Sequence, residues 1–235
     1  FLACKPGFQW TSYNVGGMLW KKFLVQVIPA LVFLSIYILF RQKGAFFSEF
    51  MHMMSLSTKG GYWFTWVLLQ MYVVFYLTLF LFPSTQWKRY ALIFLWICSL
   101  FAYETLYLPR IFTYFKDPFF RYTSIVETLR FSHFFLFGCL VRSYWKSIQR
   151  VFDSSWFFPA LTLVALFCCA DIFRWHTLKF AWTNLPRTLA MYALLLMVVM
   201  FFRHYGHWFS SERVLGRTMQ YVGCRTLDIY LLHFI

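Results

Sequence analysis

Glu104 stands inside the apolar run 90–108 (YALIFLWICSLFAYETLYL), with no Lys or Arg within four residues on either side. A carboxylate at membrane depth costs about 2.5–3.5 kcal/mol on insertion scales. It therefore needs a partner on another helix, a retained proton, or a place in a polar cavity. The last segment, GCRTLDIYLLHFI from Gly223, carries more groups of this kind. At 100° per residue, Gly223, Thr226, Tyr230 and His233 fall within an arc of about 80°, while Arg225 and Asp228 lie together on another face. His233 could shuttle a proton or donate to a substrate, or be a satisfied structural histidine. In the run 62–82, Trp63, Trp66 and Gln70 share a face and Tyr72 points away from it. Indole and amide groups there could line a site for sugars or acyl carbonyls, or form an interfacial aromatic belt around one buried amide.

These groups need a scaffold, and the composition says which kind. Of 235 residues, 61% are apolar and 25% aromatic, and only 13% are charged. Soluble domains carry about twice that charge. The pattern predicts an all-α, polytopic transmembrane helix bundle. Continuous apolar stretches at 23–40, 62–82, 90–108, 125–141, 156–173, 188–202 and 219–235 predict about seven spans, since a crossing helix needs about 20 residues. Alternating ten-residue barrel strands do not fit such runs. Glu127 with Arg130, and Asp171 with Arg174, are i,i+3 pairs able to neutralise one another. Pro29 and Pro159 lie within spans, where neighbouring helices can re-satisfy the backbone.

The net charge of +14 arrives two or three residues at a time between apolar runs, never as a block. That is the charging of membrane loops, directed at lipid headgroups or phosphorylated ligands rather than nucleic acid. A slight excess of Lys and Arg favours a cytoplasmic amino-terminal side. The six cysteines show no metal-ligand spacing and read as apolar fillers, so no metal site is expected. Phe1 in place of methionine, and Ile235 within an apolar stretch, read as one domain over residues 1–235 cut at both ends. No phosphate loop, dinucleotide fingerprint or nucleophile elbow is present. The residues alone leave three readings: enzyme, transporter or flippase with intramembrane ionisable groups, or structural membrane subunit.

The closing stretch VLGRTMQYVGCRTLDIYLLHFI resembles the carboxy-terminal signature of the acyltransferase-3 family. Its glycine, polar pair and IYLLH-like run correspond to Gly223, Thr226-Leu227 and Ile229 to His233. Three further segments agree in order. Lys21-Lys22 followed by VIP at Pro29 resembles the basic approach to the family's third helix. Trp63-Phe64 with Leu68 and Tyr72 resembles its WFL-x-x-L-x-x-x-Y helix, and FFLFG ending at Gly138 its FFxxG segment. The family's Arg-x-x-Arg is not reproduced, since Gln26 stands three residues before Pro29 and Lys22 seven before it. Gly61-Tyr62 replace the histidine often found before the WF pair.

The resemblance implies helices three to nine of about ten, in a bacterial inner-membrane enzyme. Such an enzyme moves an acyl group, commonly acetyl, from acyl-CoA to a hydroxyl of a cell-envelope carbohydrate. It implies no resident cofactor, with acyl-CoA as co-substrate, and a catalytic histidine upstream of Phe1. The general base would be that histidine. Trp63, Tyr230 or His233 would contribute oxyanion donors. Lys21 and Lys22 would hold the phosphates of the donor. Trp66, Gln70, Glu104, Arg225 and Asp228 complete the candidate acyl-donor and substrate site.

Overall fold

A computed structural model describes residues 15–41, 45–55, 62–82, 84–106, 118–174, 185–210 and 212–224. Among these residues the regular elements are helices and no strand occurs. They form two compact units, one ending at Ser143 and one beginning at Tyr144.

The first unit opens with α1 (Val15–Lys22), a π turn (Phe23–Val27) and α2 (Ile28–Arg41), stacked in one rod. Within that turn the Ile28 N–H donates to the Phe23 carbonyl, one residue further back than in an α-helix. Pro29 gives the physical reason. Its ring clashes with the carbonyl four residues earlier and it has no N–H to offer, so the chain widens just ahead of it. The wider turn carries Gln26 and Val27 into the interior. Ala30, Leu34 and Ile38 recur every four residues along α2 and bury themselves against Met53 of α3 (Phe46–Ser55) and against Tyr62.

Next come α4 (Trp63–Leu81), α5 (Thr85–Leu106), α6 (Pro118–Thr123) and α7 (Ile125–Ser143). Ser84 caps α5, its hydroxyl accepting from the Trp87 N–H at 3.3 Å. Pro118 occupies the first position of α6, where a missing N–H costs nothing. Between α6 and α7, Ser124 takes a left-handed backbone with φ 54° and turns the chain. Ring contacts of Tyr103 with His133 and of Trp96 with Phe137 show α5 and α7 packed antiparallel.

The second unit comprises α8 (Trp145–Phe152), α9 (Phe157–Arg174), α10 (Leu185–His204), a 3-10 turn (Gly206–Phe209) and α11 (Val214–Cys224). Small side chains let α9 and α10 approach closely, with Leu161 and Ala165 of one meeting Ala193 of the other. Gly216 of α11 lies flush on the chain at Phe209–Ser210, where an added Cβ would come within 2.0 Å of the Ser210 carbonyl oxygen.

Outward positions carry large apolar side chains, among them Phe40, Phe80, Leu81, Phe94, Leu163 and Phe167. In water such a surface would drive association; against lipid it is the expected one. Among the described residues, three helical stretches are long and apolar enough to cross a membrane: Gly16–Phe40, Trp63–Leu81 and Leu185–His204. Counting the bent pair Trp145–Phe152 and Phe157–Cys169 as one broken span raises the number to four. The described residues thus account for three or four of the seven spans expected. The runs 90–108 and 125–141 do become helices, α5 and α7, but Lys88, Arg89 and Glu104 in one, and Glu127, Arg130 and Arg142 in the other, dilute their apolar character. Beyond Cys224, the run 219–235 lies outside the described residues.

Candidate functional site

Lys22 is the last residue of α1, directly ahead of the π turn. Its Nζ donates to the Tyr72 hydroxyl at 3.5 Å and sits 4.5 Å from the centroid of the same ring. Tyr72 is fully buried on α4, stacked on Tyr76 at 5.9 Å and met edge-on by Phe135 of α7 at 5.4 Å. A ring held on several sides gives the ammonium a fixed seat, and the π face adds attraction without neutralising the charge. Lys21, one residue earlier, is exposed. One turn deeper, Gln26 is buried, and its Oε1 accepts no hydrogen bond among the described residues. A buried carbonyl left so costs about 1–3 kcal/mol, a cost that a donor from a ligand would remove. The cation on its phenol and, four residues further along the same rod, the spare acceptor thus lie within one membrane-crossing stretch.

The face shared by Trp63, Trp66 and Gln70 is used for packing across helices. The Gln70 Nε2 donates to the Thr123 carbonyl at the end of α6, and its Oε1 accepts from the Thr128 hydroxyl at 2.8 Å. The amide is therefore a brace between α4 and the α6–α7 corner. Trp63 lies on Phe131 of α7, ring centroids 5.4 Å apart. Trp66 has its indole N–H buried with no acceptor among the described residues. It lines a hollow of about 20 Å³ with Val27, Leu34 and Thr65, room for one water.

Glu104 is buried on α5, one residue after Tyr103. The Tyr103 ring faces His133 of α7 at 4.8 Å, and His133, wholly buried, also hydrogen-bonds the backbone of Arg130. The sequence reading passed over His133, although a histidine inside the run 125–141 is itself an intramembrane ionisable group. It also gave Gln26 no site role, because its burial arises from a π turn rather than from regular helical spacing.

The structure therefore brings Lys22 to Tyr72 and ties Trp63 and Gln70 to α6 and α7, while Glu104 sits on α5 beside the Tyr103–His133 contact. Arg225, Asp228, Tyr230 and His233 lie outside the described residues. No curated protein and no solved structure matches the chain. A family of acyltransferase domains, acyltransferase 3, matches it over residues 1–235. Apolar crossing helices and a match along the entire length lead to one assignment: the chain belongs to the acyltransferase-3 family and is an integral membrane protein of the acyltransferase class.

Proposed function

We propose that residues 1–235 form one membrane acyltransferase domain that moves an acyl group, acetyl in the simplest case, from acyl-CoA to a carbohydrate hydroxyl of the cell envelope. The setting is the bacterial inner membrane, and no cofactor is held permanently. The family match over the whole chain carries the reading of acyl transfer. The seat of Lys22 on Tyr72 supports the placement of the donor.

A thioester donor with phosphates needs cations at the membrane surface and donors deeper in. Lys21 and Lys22 meet the phosphates as charge-assisted hydrogen-bond donors. The Gln26 Oε1 accepts from an amide N–H of the donor arm. A general base takes the proton of the acceptor hydroxyl, whose oxygen attacks the thioester carbonyl. The base is the histidine that the family resemblance assigns to a helix before Phe1. The tetrahedral oxyanion is met by N–H and O–H donors, with Trp63, Tyr230 and His233 as candidates. Collapse expels the CoA thiolate, which takes a proton, and leaves the acylated hydroxyl. Trp66, Gln70, Glu104, Arg225 and Asp228 shape the surrounding polar interior.

Incubating the full-length protein in proteoliposomes with labelled acetyl-CoA and a glycan acceptor tests this. Label in an alkali-labile ester on the glycan, with one free CoA thiol for each ester, is the expected result. Uptake of the acceptor with no thiol released would make the protein a transporter.

A further inference from the structure

In the second unit, an open cleft of about 1,010 Å³ lies where the start of α9 meets the end of α10. Apolar Phe152, Phe158 and Met200 line it together with polar Asp153, Arg203 and His204. A lining that mixes greasy and hydrogen-bonding groups suits an amphiphile.

Its depth in the membrane follows from the helices around it. The cleft ends the Leu185–His204 helix, which is long and apolar enough to cross a bilayer. The short helix α8 is bent 82° from α9, and the break between them lies at the end of α10, where Asp153 meets Arg203. Along α8, Phe152 is buried and Trp145 half-buried, while Lys146 and Arg150 are exposed. Trp156 and Trp208 are exposed nearby, as in an aromatic belt. The cleft thus opens at headgroup level.

Charge then selects the occupant. Lys146, Arg150, Arg203, Arg213 and Arg217 belong to the elements at this end, against Asp153 and Glu212. Arg203 is already aimed. Its Nε and Nη2 each donate to Asp153 at 2.7 Å, and its guanidinium lies 5.1 Å from the Trp145 ring centroid. Those bonds use one edge of the planar fork and leave the Nη1 hydrogens for another acceptor.

We propose that this cleft binds an anionic phospholipid, its phosphate on Arg203 and His204 and its acyl chains along Phe152, Phe158 and Met200. The site is separate from the acyl-transfer reading and does not depend on it. Native mass spectrometry of the full-length protein, delipidated and then given equal phosphatidylglycerol and phosphatidylcholine, should show about fivefold more phosphatidylglycerol retained, the worth of roughly one basic contact at the surface. The double variant Asp153→Asn/Arg203→Gln, which removes both exposed charges together, should lose that preference and keep its lipid-free melting temperature. An unchanged preference in the double variant would overturn the proposal. So would inorganic phosphate displacing the lipid, which would make the site one for soluble phosphates. A photoreactive phosphatidylglycerol on the unmodified protein gives a readout independent of variants. Labelling within 152–158 or 200–205 is expected, and labelling only elsewhere contradicts the site.

Discussion

The Lys22 ammonium rests on Tyr72, 4.5 Å from the ring centroid and 3.5 Å from the hydroxyl, although fifty residues separate the two along the chain. The contact joins the rod built from α1 and α2 to α4. It fixes a positive charge in the first turns of the membrane-crossing stretch Gly16–Phe40, where an anionic group of the donor can meet it.

Replacing Lys22 by Ala should lower kcat/KM for acyl-CoA at least about tenfold, the cost of one charge-assisted hydrogen bond, mainly through KM. Tyr72→Phe keeps the ring and loses only the hydroxyl, so its effect should be severalfold smaller. Steady-state kinetics on the two variants, with acyl-CoA varied, checks the order.

Gln26 permits a separation of structure from function. Leu has nearly its shape and no polar atom, so Gln26→Leu should leave the melting temperature unchanged or raise stability by up to about 1 kcal/mol. Activity should nevertheless fall if the Gln26 carbonyl accepts from the donor. Thermal unfolding and acyl transfer measured on one preparation test both halves. A stable variant with full activity would remove Gln26 from the site.

Gln70 should behave in the opposite way. Its amide bridges Thr123 and Thr128, and Gln70→Leu strands the Thr123 carbonyl, while the Thr128 hydroxyl falls back on the Ser124 carbonyl. A loss of about 1–3 kcal/mol is expected, read as a lower melting temperature in detergent.

Ser124 holds φ at 54°, a conformation costing an L-residue about 1–2 kcal/mol that glycine adopts freely. After the backbone entropy that glycine adds to the unfolded chain, Ser124→Gly should stabilise the protein by roughly 0.5–1 kcal/mol. A decrease in melting temperature would show the hydroxyl to be needed where it is.

Hydropathy located the helices well where lipid decides the residue. The stretch 62–82 became Trp63–Leu81, because a continuous apolar run has no other stable form in a bilayer. The 100° rule also set Tyr72 apart from Trp63, Trp66 and Gln70, in keeping with its contact to Lys22. The short helices Phe46–Ser55 and Trp145–Phe152 escaped notice since each is too short to cross and carries charge. The π turn was hidden as well. Pro29 was visible, but relief of its clash by widening the previous turn is a property of folded backbone. His133 against Tyr103, and Lys22 on Tyr72, are contacts between distant segments that spacing along one helix cannot reveal. The acyltransferase family was recognised from four short motifs in order, and the match over residues 1–235 agrees. The site residues 225–233 lie outside the described structure.

Transfer of labelled acetyl from acetyl-CoA to a glycan hydroxyl, followed in proteoliposomes containing the full-length protein or its Lys22→Ala variant, tests the account most directly. It predicts an acetyl ester on the glycan, an equal yield of free CoA, and a rate at least about tenfold lower for the variant at subsaturating acetyl-CoA. Glycan crossing the membrane unmodified with the thioester intact, or equal transfer by both proteins, would contradict it.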